Sequence, residues 1–136
     1  MERGNNIKVY LFYWLPVLIY CYIIFYLSSR ERIPLIPSIS HIDKVFHMIE
    51  YGILSILLVR AFQRVLTYKK IILLVAIIFA ILYGISDEIH QSFVSYRTSD
   101  IYDAIFDALG AIVAGQGYYL LSQRKKSEIR LSRRYE

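Results

Sequence analysis

Between Tyr83 and Gly110 the chain gathers five carboxylates (Asp87, Glu88, Asp100, Asp103 and Asp107), the imidazole of His90 and the guanidinium of Arg97. A smaller group, Asp43, Lys44, His47, Glu50 and Tyr51, precedes it. A carboxylate beside His serves as an acid–base pair, and several of them with His form the N/O ligand set of Zn2+ or Mn2+. Arg can grip a phosphate or carboxylate through two parallel hydrogen bonds. At helical spacing Tyr83, Asp87, His90 and Gln91 share one face, and Asp103, Asp107, Gly110, Ala111 and Ala114 share another. Asp43, His47, Glu50, Tyr51 and Leu54 form a third such face. Glu88 falls off the face of Asp87 by more than a quarter turn on an ideal helix.

The elements that must position these groups are apolar. The chain has 136 residues, 57% of them hydrophobic, with a mean hydropathy of +0.43. Its apolar residues cluster into runs that approach the roughly 20 residues needed to cross a bilayer. The expected fold is all-α, a polytopic membrane protein built as a four-helix transmembrane bundle in one domain. Helices are expected at about 9–27, 41–66, 71–93 and 100–122, followed by a basic cytoplasmic tail over 123–136. The first run is too long for a signal peptide and no small-x-small cleavage site follows it, so an uncleaved span is expected. Pro16 is tolerated there as a kink. Ser28 to Ser40, with Pro34 and Pro37, reads as a loop, and Ser40 reads as the cap of the second helix. Thr67 to Lys70 is a basic turn, and Asp100 is a cap for the last helix. Gly110, Ala111, Ala114, Gly115 and Gly117 offer a small-residue surface for close helix packing. Cys21, alone, can form no disulfide within the chain and reads as a packed thiol.

The net charge is +5, but the basic residues flank apolar runs, which argues for a lipid bilayer as partner and against nucleic acid. Four crossings put twelve basic residues on the side of the termini and four on the other. The positive-inside rule then makes both termini cytoplasmic in the cell membrane and turns the acidic layer outward. Arg64 to His47, Lys70 to Asp87 and Arg124 to Asp107 are each separated by 17 residues, so three helices carry polar side chains to one level, about 25 Å from the basic flank. Arg60 interrupts this count, although a long Arg can snorkel.

Ionisable groups at membrane depth are functional candidates by default. The plain alternative is capping and solvation by lipid headgroups. A buried cluster of carboxylates needs compensation: ion pairs with Lys44 or Arg97, shared protons, or a bound divalent metal. The metal candidates are His47, Asp87, His90 and Asp107, although H-E-x-x-H is absent. Either His can instead be a hydrogen-bonded structural residue or a general base. Arg97 can hold an anionic ligand or simply a local Asp. There is no Gly-rich phosphate loop, serine elbow or Cys–His pair.

Two blocks of sequence resemble the VanZ-like family of small membrane proteins, named for a member associated with resistance to the glycopeptide antibiotic teicoplanin. The first block is Asp43-Lys44-x-x-His47-x-x-x-Tyr51-Gly52. The second runs Ser86-Asp87-Glu88-x-His90-Gln91-x-Phe93-x-x-x-Arg97, then Ser99-x-x-x-Asp103-x-x-x-Asp107-x-x-Gly110. Where the family often has Pro-Gly before the Arg, this chain has Ser95-Tyr96; the family shows Asn or Asp at position 107, so Asp107 fits. The resemblance implies an envelope protein whose polar outer face matters. His47, Asp87, His90 and Asp107 are the catalytic candidates, and Asp43, Lys44, Tyr51, Glu88, Gln91, Arg97 and Asp103 the ligand-binding ones. Three roles are open: binding a lipid-linked or glycopeptide ligand, hydrolysis or transfer on a lipid-linked precursor, or structural partnership with another membrane protein.

Overall fold

A computed structural model describes residues 3–30, 40–66, 68–95, 97 and 99–133, and side chains from Ile7 onward except 40, 41, 69 and 70. The described residues form four helices and no strand: α1 (Arg3–Ser28), α2 (Ser40–Val65), α3 (Lys69–Gln91) and α4 (Ile101–Ser132). Each contains a stretch long and apolar enough to cross a membrane. The all-α, four-span expectation is met. Most of the loop expected before α2, together with Thr67 and Tyr96, lies outside the described residues, as does the side chain of Ser40.

One boundary differs in a way that matters. α4 does not stop near Ser122 but continues as helix to Ser132, about 15 Å further. The apolar pattern ends at Ser122, yet Gln123 to Ser132 contains no Gly or Pro and is rich in Gln, Arg, Lys, Glu and Leu, which are strong helix formers. Apolarity set the expected end; propensity sets the observed one. The basic segment is therefore a helical extension as far as Ser132. α3 ends two residues before the expected Phe93, where the Phe93 N–H donates to the His90 carbonyl in a tighter terminal turn.

Contacts between helix ends give the topology. Ser29, just past the end of α1, meets His90 near the end of α3, so these two helices run the same way. Lys44 meets Asp103 at the starts of α2 and α4, and Gln63 meets Ser122 further along the same pair. These two also run parallel to each other, and Tyr13 against Arg64 sets α1 antiparallel to α2. All the acidic groups of interest lie at one end, made by the finish of α1 and α3 and the start of α2 and α4.

α2 packs against the other three helices, whereas α1 and α4 do not meet among the described residues. Its Leu54, Leu58, Val59 and Ala61 are buried in one core with Ala76 and Ala80 of α3 and Val17 and Ile24 of α1. The perimeter is also apolar: Leu11, Leu18, Leu74, Leu82 and Val113 are exposed. Such a surface is untenable in water and suits hydrocarbon. Lipid offers little hydrophobic drive between helices, so close backbone approach must hold the seams. The α2–α4 seam provides it. A Cβ on Gly110 would overlap the Met48 carbonyl, one on Gly115 would overlap the Ser55 hydroxyl, and one on Gly52 would lie 3.2 Å from the Ala114 Cβ. Gly117 was expected in this surface but has open space around it. At the opposite end, Arg60 lies over the Phe12 and Tyr13 rings at 5.3 and 5.0 Å, and Arg64 over Tyr13 at 4.4 Å. Cation–π contact thus accommodates the arginine that interrupts the depth count.

Candidate functional site: a buried His–carboxylate cluster beside a polar cleft

The cluster is built in layers from the start of α4. Asp100 caps that helix, its Oδ1 accepting the Tyr102 N–H at 2.9 Å. Lys44 of α2 donates to Asp100 Oδ2 and to Asp103 Oδ1, both at 2.9 Å, and so clamps the two helix starts together. The ammonium of Lys44 and the Tyr102 N–H hold the Asp100 carboxyl below its usual range.

One turn deeper, His47 Nδ1 lies 3.1 Å from Asp107 Oδ1. An ionised carboxylate only accepts, so Nδ1 carries the proton and Nε2 keeps its lone pair when the ring is neutral. Asp107 is 1% exposed. Gly84 of α3 makes room for it, since a Cβ there would lie 3.1 Å from Asp107 Oδ2. Glu88 completes the layer: its Oε2 accepts the Asp100 N–H at 3.0 Å, and the residue is 5% exposed. The remaining oxygens, Glu88 Oε1 and Asp107 Oδ2, are buried without a hydrogen-bond donor among the described residues.

A cleft of about 80 Å³ lies alongside. Its α1 wall is Ile24, Leu27 and Ser28; its polar wall comprises His47, Glu50, Asp87 and Gln91. Arg97 also lines it and donates to the carbonyls of Leu27 at 3.0 Å and Arg30 at 3.2 Å, fastening the α3–α4 connection to the end of α1. Gln91 donates to Asp87 Oδ2 at 2.9 Å. The Ser28 hydroxyl is buried with no partner among the described residues.

The site residues expected from sequence are thus divided by the fold. His47 and Asp107 meet directly, and Glu88 joins them. Asp87 and Gln91 face the cleft with His47 and Arg97. Lys44 and Asp103 form the layer above. His90 stands apart: it stacks on Phe25 at 4.7 Å, and its Nε2 lies 2.9 Å from Ser29 Oγ. That hydroxyl gives its single proton to the Phe25 carbonyl, so His90 Nε2–H is the donor. Tyr51 is wholly buried, its ring 6.5 Å from Tyr83. Asp43 is half-buried and lies outside both the cleft and the cluster. Glu50 and Ser28 were not assigned from sequence. Glu50 carried a signal, because it shares a helix face with His47; Ser28 carried none.

The fold and this site define a four-span α-helical membrane protein with a buried imidazole–carboxylate cluster at one end. The sequence matches the VanZ/LLP1 family over residues 4–122, and the chain belongs to that family. It is also similar to a Schizosaccharomyces pombe protein, Uncharacterized protein C11E3.10, at 30% identity over 91 residues. That match covers 67% of this chain and 55% of the relative, so the chain spans about half of that relative's length. No solved structure matches it.

Proposed function

We propose that this protein sits in the cell membrane with both termini cytoplasmic and binds a lipid-linked envelope component through the cleft on its outward side. The observation that carries this reading is the lining of the cleft. An apolar wall, Ile24 and Leu27, is supplied by α1, whose outer side is exposed and apolar, while Arg97 and the pair Glu50 and Asp87 supply opposite charges. A headgroup bearing both an anion and an amine satisfies both: the anion pairs with Arg97, the ammonium with Glu50 or Asp87. Acyl chains then lie along the exposed apolar side of α1. Volume restricts the ligand. At about 80 Å³ the cleft is far below the roughly 300–1,000 Å³ that encloses a drug-sized molecule, so it takes a headgroup rather than a whole glycopeptide. Any contribution to teicoplanin resistance then acts through the altered surface, not through capture of the antibiotic.

The test is native mass spectrometry of the protein purified from membranes, with lipid analysis of a deletion strain complemented by each variant. Arg97→Ala and Glu50→Gln are expected to reduce the retained lipid about tenfold or more, as loss of a charge-assisted contact does. Unchanged retention in both variants removes this reading. The His47–Asp107 contact favours a second one, hydrolysis or transfer on a lipid-linked precursor, with His47 as general base oriented by Asp107. It requires turnover of an added lipid extract that His47→Ala abolishes while lipid retention persists.

A further inference from the structure

Around His47 the described lysine and arginine do not hydrogen-bond every buried carboxylate oxygen. Lys44 is engaged by Asp100 and Asp103. Arg97 is directed to the carbonyls of Leu27 and Arg30 and to the cleft. Neither donates to Glu88 Oε1 or Asp107 Oδ2, the two buried carboxylate oxygens without a donor among the described residues. One ligand atom from each of His47, Glu88 and Asp107 lies within 4.8 Å of the others, and all three residues are more than nine-tenths buried. Buried anions persist when paired or when they coordinate a metal.

The geometry points to a divalent transition-metal site, of the Zn2+ or Mn2+ class, formed by His47, Glu88 and Asp107. One imidazole nitrogen and two carboxylates are the donor set those ions accept, and Mg2+ or Ca2+, which take oxygen almost alone, fit less well. Glu88 is already held through its second oxygen by the Asp100 N–H, and such an outer bond orients a ligand for a metal. His47 Nδ1 already lies 3.1 Å from Asp107 Oδ1, and on binding it would give up its proton and turn its lone pair to the ion beside that carboxylate. Three ligands from the protein also leave a coordination position open. His47 is shared with the cleft wall, which connects the ion to the place where a headgroup would lie. The set differs from the one expected from sequence: Glu88 takes the place of Asp87 and His90. This site does not depend on the cleft binding a lipid.

The experiment uses the full chain in detergent, with metal content measured by inductively coupled plasma mass spectrometry before and after chelator treatment. Reloading with Zn2+, Mn2+, Mg2+ and Ca2+ separately is followed by calorimetry. About one Zn2+ or Mn2+ per chain is expected. Glu88→Gln, which keeps an oxygen for the Asp100 N–H, and Asp107→Asn are each expected to weaken binding more than about tenfold, since loss of an outer-shell partner alone costs about 10–100-fold. Glu128→Gln, on the exposed far end of α4, is expected to bind as the unaltered protein does. The unaltered chain serves as the decisive sample if a variant fails to fold. Absence of stoichiometric Zn2+ or Mn2+ in it after reloading, or full affinity in folded Glu88→Gln and Asp107→Asn, overturns the site. Arg97-dependent lipid retention by a chain that takes up no Zn2+ or Mn2+ on reloading would leave the headgroup reading standing while this one falls. The reverse result would do the opposite.

Discussion

At the scale of single residues, Asp100 does two jobs with one carboxylate. Oδ1 caps α4 and Oδ2 pairs with Lys44. Because both contacts favour the ionised form, its folded pKa lies below the unfolded value of about 3.9. The stability it adds is therefore complete above that value and is lost as pH falls through the folded pKa. Asn keeps the capping oxygen but not the charge. Asp100→Asn is expected to lower the melting temperature at pH 6, and the difference is expected to shrink as pH falls below about 4, as followed by circular dichroism in detergent. A constant difference across that range would mean that the Lys44 pair contributes nothing. Glu88 makes a related point about reading residues. Its helical phase set it off the polar face of α3, but beyond that face lies the start of α4, whose Asp100 N–H it accepts.

Between elements, the α2–α4 seam decides the site. His47 and Asp107 come from different helices and meet because Gly52, Gly110 and Gly115 let the backbones approach. Gly110→Ala would drive a methyl into the Met48 carbonyl, which belongs to backbone and cannot turn aside. A loss of about 3 kcal/mol is expected, at the upper end of overpacking costs. Gly117→Ala meets open space and should be neutral or stabilising by up to about 1 kcal/mol, because a mid-helix Gly is itself unfavourable. Thermal unfolding of the two variants side by side checks the assignment. Equal effects would show that the seam is not as close as described. Metal and lipid binding should fail together with stability in Gly110→Ala and be retained in Gly117→Ala.

For the whole molecule, the proposed orientation rests on the sequence count of twelve basic residues on the side of the termini and four on the other. Reporter fusions at each terminus should both read as cytoplasmic, and a reporter placed between α3 and α4 should read as external. A cytoplasmic reading for that connection would turn the cleft inward and end the envelope proposal, while leaving the metal site untouched. The helical extension from Gln123 to Ser132 carries Arg124, Lys125, Lys126 and Arg130 past the apolar part of α4. In the proposed orientation these residues would meet anionic headgroups, which attract basic residues by about 1 kcal/mol each.

Apolar run length determined the four spans, because a bilayer imposes its thickness on any chain that crosses it. Helical phase and depth likewise placed His47, Asp87 and Asp107 at one end. Which of these side chains touch was decided by tertiary packing. A helix face is a broad arc with several neighbours, and the glycines of α2 and α4 select which neighbour comes within hydrogen-bond reach. That selection brought Glu88 to His47 and Asp107, gave Glu50 and Ser28 to the cleft, and left His90 stacked against Phe25.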